Sequence, residues 1–200
     1  MPVHRLIDRQ ECLSYCMDES LANVTTLIDA AKRARLEDRP ADAQRDYAAA
    51  VAICRTSGAR RQLVVALKGL GQIERDLGNV DAALPLYEEA ARICREDDDL
   101  LALAHTVRHV GDIHLDAQRT ELAEPCYREA IAIYRENPNT AVLDLANAIR
   151  PFALLNEQVG RAEEARKLWA EARDLYATAG VQQGVAESSR RLTRLDATSS

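Results

Sequence analysis

The sequence predicts an all-α chain in which four helical hairpins stack as an α-solenoid and a final helix closes the array. Three observations predict it. Aromatic residues recur at Tyr47, Tyr87, Tyr127 and Trp169, at spacings of 40, 40 and 42 residues. Each is framed by alanine, four residues before it (Ala43, Ala83, Ala123, Ala165) and three after it (Ala50, Ala90, Ala130, Ala172). The composition suits helices, with eight Gly, six Pro and one Phe among 200 residues dominated by Ala, Leu and Arg.

The frame has a packing meaning. Positions i, i+4 and i+7 fall on one helix face, so small, large and small side chains line up towards one neighbour. Alanine lets a second helix come close and the ring fills the space beyond. The segment PLYEEAARICRE at 85–96 returns as PCYREAIAIYRE at 125–136, with seven of twelve letters in place. A helix that recurs at a fixed period implies an interface that recurs, as in stacked hairpins.

In chain order, residues 1–19 come first. Leu6, Ile7, Leu13 and Met17 suit a short amphipathic helix that caps the array; a dimer contact is the other use of that face. The array spans 20–180, in units 20–57, 60–97, 100–138 and 143–180. Each unit opens with a first helix (20–37, 61–77, 100–117, 143–159) carrying apolar residues at helical spacing. Leu67, Leu70 and Gly71 match Val107, Val110 and Gly111. Turns are expected at Asp38-Arg39-Pro40, Gly78-Asn79, Gln118-Arg119-Thr120 and Gly160-Arg161. The acidic run at 96–99 is expected to cap the helix that starts near Leu100. Residues 181–197 form the closing helix, with Ala186, Leu192 and Leu195 inward and Arg190, Arg191 and Arg194 outward; 198–200 is a frayed tail.

Charge and motifs exclude several classes. A formal net charge of −6 argues against tracking nucleic-acid phosphates. No run of about 18 apolar residues is present to span a membrane, and the first residues lack the apolar core of a signal peptide. Five cysteines with no secretory signal read as buried, reduced thiols of a cytoplasmic protein. GxSxG, P-loop and GxGxxG motifs are absent, so no enzymatic activity and no cofactor are expected. His105, His109 and Asp112 share a helix face, but Thr106 stands where a zinc-binding HExxH motif has glutamate, so no metal is expected.

With these residues in view, the chain resembles the tetratricopeptide repeat family. That family places a small residue in its first helix, as at Gly71 and Gly111, then Ala, aromatic and Ala in its second, as at Ala83, Tyr87 and Ala90. The 40–42-residue period exceeds the usual ~34 and is similar to the lengthened repeats of kinesin light chains and their bacterial relatives, including Pro85 and Pro125 early in the second helix. Glu74, His114 and Asn156 depart from the pattern, standing where the family often has an aromatic; Ala31 and Ala153 replace the glycine. The resemblance implies a right-handed superhelix whose first helices line a concave groove used to bind proteins or peptides.

On that frame the groove-facing residues are Lys68, Gln72 and Arg75, then His105, Arg108, His109 and Asp112, then Asn147, Arg150, Leu154 and Glu157. Lys68, Arg108 and Arg150 share one register, a basic ladder suited to an acidic peptide or carboxylate terminus. The alternative is that each pairs with a local acid. The family's carboxylate clamp is not present as such, since Gln72, His109, Asn147 and Pro151 replace its Asn and basic residues. The expected function is therefore a non-enzymatic scaffold with a protein or peptide partner, and no nucleic-acid or membrane partner. A sensory domain for a small signalling peptide or metabolite, and a self-assembling homo-oligomer, are the other readings.

Overall fold

The structure, a computed structural model, describes residues 9–197, with side chains from Leu21 onward. The expectations for Leu6, Ile7, the side chains of Leu13 and Met17, and the tail at 198–200 fall outside the described residues. Within them the chain is all-α: α1 (Arg9–Leu36), α2 (Pro40–Ser57), α3 (Arg60–Asp76), α4 (Val80–Glu96), α5 (Leu100–Asp116), α6 (Thr120–Glu136), α7 (Val142–Gln158), α8 (Ala162–Thr178) and α9 (Gln182–Ala197). Helix α1 runs through position 20 without a break, so the first hairpin begins with a longer helix than the repeat alone suggests. Two compact units divide the chain, Met1–Ile93 and Cys94–Ser200. In the first, α1 packs on α2 and α3, and α2 on α3; in the second, each of α5 to α8 packs on the next helix, and α5 also meets α7.

The ring-between-alanines frame is the core of both units. All eight framing alanines have no exposed surface, and the four aromatics are at most 5 % exposed. Glycine of the first helix makes room for the ring of the second. A Cβ on Gly71 would come 2.8 Å from Tyr87 Cε2, and one on Gly111 would come 2.9 Å from Tyr127 Cε1. Such distances are well inside contact, so the hairpins close because these positions carry no side chain.

The turns share one design. After α1, α3, α4, α5, α7 and α8 the chain places one residue at positive φ and doubles back with paired hydrogen bonds. Gly78 N–H donates to Arg75 O at 2.9 Å and Asn79 N–H to Glu74 O at 2.7 Å. This is the Schellman arrangement, which satisfies helix-end carbonyls. The positive-φ residues are Asp38, Gly78, Asp98, Gln118, Gly160 and Gly180; Gly58 after α2 also has positive φ but makes a single bond, its N–H to Cys54 O at 3.0 Å. They recur every 20 residues from 38 to 118. The series breaks at one link. Asn137 precedes Pro138, whose ring disfavours helical backbone before it, and Asn137 is extended at φ −94°, ψ 115°. This link runs from 137 to 141, two residues longer than the three-residue turns, which is why the last aromatic spacing is 42.

Asp99 caps α5 as expected, its Oδ1 accepting from Ala102 N–H at 3.1 Å. Pro85 and Pro125 stand early in the second helix as expected, six residues into α4 and α6; this is past the first turn whose N–H groups lack partners, so each removes one helical hydrogen bond. One expectation is corrected. In α9 the buried stripe is Gly184, Ser188 and Leu195, while Ala186 is exposed. Gly184 takes the inward place because Tyr176 leaves no room for more: a Cβ there would meet its Cγ at 2.4 Å.

Candidate functional site

In the first unit, Lys68, Gln72 and Arg75 lie half-buried on α3. Gln72 Nε2 donates to Asp76 Oδ1 at 2.7 Å, and its Oε1 accepts from Tyr87 Oη at 3.4 Å. Asp76 also pairs with Arg35 at 3.1 Å. The polar face of α3 is thereby tied to the core tyrosine behind it.

The second unit gathers most of the groove candidates. On α5, Arg108 Nη1 donates to Asp112 Oδ2 at 2.9 Å, and Tyr127 Oη donates to Asp112 Oδ1 at 3.0 Å. Arg108 Nη2 lies 2.7 Å from His109 Nε2. Guanidinium nitrogens only donate, so Nε2 is the acceptor and the ring proton belongs on Nδ1, which faces Asp112 Oδ2 at 3.4 Å. The His105 ring stands beside that of His109, centroids 4.7 Å apart. Burial pushes the Asp112 carboxyl up, but His109, Arg108 and the Tyr127 hydroxyl outweigh it and hold the group below its ordinary range. The Tyr127 hydroxyl is pushed far up by burial and by the neighbouring Asp112 charge.

Asn147 and Arg150 project from α7 into an open cleft of about 420 Å³ that they share with Tyr176, Gly184 and Glu187. Tyr176 Oη donates to Asn147 Oδ1 at 2.9 Å. Arg150 grips Glu187 with two hydrogen bonds, Nε to Oε2 at 2.7 Å and Nη2 to Oε1 at 3.0 Å. A second hollow of about 400 Å³ continues from Glu187 along Arg190, Arg191 and Arg194. Arg194 and Arg191 reach Glu157 Oε2 at 3.1 and 3.3 Å, and the Arg191 guanidinium lies 5.6 Å from the Trp169 ring centre. Trp169 Nε1 donates to the other Glu157 oxygen. Arg191 is therefore folded back onto the core, not turned outward as the sequence suggested; the indole face and a partly buried carboxylate draw it in.

Arg108 and Arg150, two rungs of the expected ladder, thus both carry acid partners. Asp112 is i+4 on the same helix and was visible as such. Glu187 lies 37 residues further on, where only the stacked fold brings it to Arg150. The tyrosine hydroxyls are a further group that sequence reasoning missed. Periodicity marked the rings as core, and nothing in it said that their tips cross to the polar face. Gln72/Tyr87 and Asp112/Tyr127, both 15 residues apart, are the signal that could have revealed them.

Comparison with known proteins rests on this geometry. Residues 62–136 match the model of the tetratricopeptide repeat family. Over this stretch the chain is similar to tetratricopeptide repeats. No curated protein matches the chain. Among solved structures, the array is similar to aspartyl phosphate phosphatase F from Bacillus subtilis, with a TM-score of 0.76 at 14% identity, covering 83% of this chain and 43% of that one. The chain thus spans less than half of that phosphatase. BtubC from P. vanneervenii matches with a TM-score of 0.57 at 16% identity, covering 91% of each chain. A kinesin light chain with nearly identical repeats from Podosopora anserina matches at 0.55 and 15% identity, covering 88% of this chain and 96% of that one. These likenesses establish the fold as an all-α tetratricopeptide-type repeat array. Such repeats generally act as non-enzymatic scaffolds for protein–protein interaction. No helix among the described residues is long and apolar enough to cross a membrane.

Proposed function

We propose that this protein is a non-enzymatic binding module that takes an acidic protein or peptide segment against α5 and α7 of its second unit, through Arg108, His109, Asp112, Asn147 and Arg150 with His105 at their edge. One observation carries the reading: Asn147 and Arg150 line an open cleft of about 420 Å³ on α7, and α7 packs against the α5 helix that holds the others. Tyrosine tips fix two of them in place, Asp112 by Tyr127 and Asn147 by Tyr176. A preset polar surface binds without the cost of ordering its side chains.

Saturation supports binding over catalysis. His109 and Asp112, the pair suited to proton transfer, are engaged with each other, with Arg108 and with Tyr127. Lys68, Gln72 and Arg75 present the corresponding register of the first unit and form a second contact surface. The buried free thiol of Cys54 fits a reducing, cytoplasmic setting.

The test is fluorescence anisotropy with a labelled decapeptide of alternating Glu and Ala. Binding that weakens as salt rises, and falls about tenfold in Arg150→Ala, is the expected result. Unchanged affinity in that variant, or no binding at any salt concentration, removes the proposal. Lys68→Ala reports whether the same ligand also uses the first unit.

A further inference from the structure

The α7–α9 cleft has an occupant of its own. Arg150 and Glu187 form a two-bond pair in which the arginine side chain is 44% exposed and the glutamate 23%. Two other long-range pairs of the second unit, Arg95–Glu129 and Arg135–Glu171, join one second helix to the next and repeat the same register from hairpin to hairpin. Arg150–Glu187 does not belong to that series. It joins a first helix to α9, and Glu187 lines both hollows of this surface.

Charge along the surface is unequal. Four guanidinium groups, Arg150, Arg190, Arg191 and Arg194, face two carboxylates, Glu187 and Glu157. Glu157 is already shared by Arg191, Arg194 and the Trp169 indole. Arg190 is exposed and makes no ion pair among the described residues, yet its charge acts on Glu187. Released from Arg150, Glu187 would therefore still stand in a positive field and would not be stranded. The exchange of one carboxylate for another at Arg150 then costs little.

Resting on the binding role proposed above, we propose that this cleft is a seat for side-chain carboxylates of an acidic peptide, and that Glu187 is its resident occupant, holding Arg150 until a ligand carboxylate displaces it. Helix α9 is then part of the binding surface as well as the closing element of the array. Glu187 sets a threshold: a single weak carboxylate does not displace it, whereas a segment carrying several acids engages Arg150 and Arg190 together and does.

Glu187→Gln tests this as a gain of function, because the amide keeps the shape and removes the competing charge. Anisotropy with the same labelled Glu-Ala decapeptide is measured on the full chain, with melting curves to verify that each variant folds. Glu187→Gln is expected to bind about three- to fivefold tighter than wild type, and this gain is expected to vanish in Arg150→Ala/Glu187→Gln compared with Arg150→Ala. If wild type binds but Glu187→Gln binds equally or more weakly, Glu187 is not a competitor and the inference falls. An equal gain in the Arg150→Ala background overturns it too, since Glu187 would then act only as a repelling charge. Absence of binding by every variant overturns the binding role itself.

Discussion

Gln118 closes helix α5 at φ +60°, a backbone conformation that costs an L-residue about 1 kcal/mol and that glycine adopts freely. Gly78 and Gly160 stand at the equivalent turns, and Asp38 and Asp98 fill two others with the short polar side chain that tolerates this region best. Gln118 has neither advantage. Its side chain is exposed, and the turn is held by its own N–H to Leu115 O at 2.9 Å and by Arg119 N–H to His114 O at 2.8 Å, which any residue can make. Gln118→Gly is therefore expected to stabilise the protein by about 0.5–1 kcal/mol, read as a higher urea midpoint. Gly184→Ala is expected to do the opposite for a different reason. Its new methyl group would collide with the buried Tyr176 ring, and overpacking of this kind costs about 1–3 kcal/mol.

Among elements, α5 shows what the repeat pattern can and cannot tell. Its apolar stripe, its glycine and its acidic cap were all legible, because each is a local rule written in adjacent letters. The same holds for the second helices, whose framing alanines and rings are all buried. Pairings across helices were not legible, since they depend on how far a side chain reaches. Arg95 and Arg135 look like solvated charges in sequence, yet each spans to a glutamate of the next second helix, at 129 and 171. The Asp112 cluster is a similar case and has a measurable sign. Its carboxyl is held below the ordinary 3.8 in the folded state. A lowered value means that the carboxylate contributes stability above the unfolded pKa and loses it as pH falls through the folded one. Asp112→Asn should thus be less stable than wild type at pH 7, by about 1–3 kcal/mol. The gap should narrow as pH falls below about 4, where the carboxylate of the unfolded wild-type chain takes up its proton before that of the folded one. Urea titrations of both proteins at pH 7 and pH 3 test it, and a gap of equal size at both values would count against the electrostatic account.

For the whole molecule, the repeat period gave the number of hairpins, but not the division into two compact units at Ile93/Cys94, because that boundary falls inside α4 and leaves no break in the pattern. Each unit has its own buried ring-and-alanine core, and in repeat arrays stability is close to a sum of local terms and nearest-neighbour interfaces. The single tryptophan makes this testable. Trp169 is fully buried in the second unit, so its fluorescence reports that unit alone, whereas far-ultraviolet circular dichroism reports every helix. Gly71→Ala places a methyl group 2.8 Å from Tyr87 Cε2 in the first unit, and Gly111→Ala places one 2.9 Å from Tyr127 Cε1 in the second. The two lesions are closely matched in kind and size. Gly71→Ala is expected to lower the dichroism midpoint while moving the Trp169 midpoint less, so that the two transitions separate. Gly111→Ala is expected to pull the Trp169 transition down with it. If both variants shift both probes equally, the chain unfolds as one cooperative block, and local summation of repeat energies does not describe it.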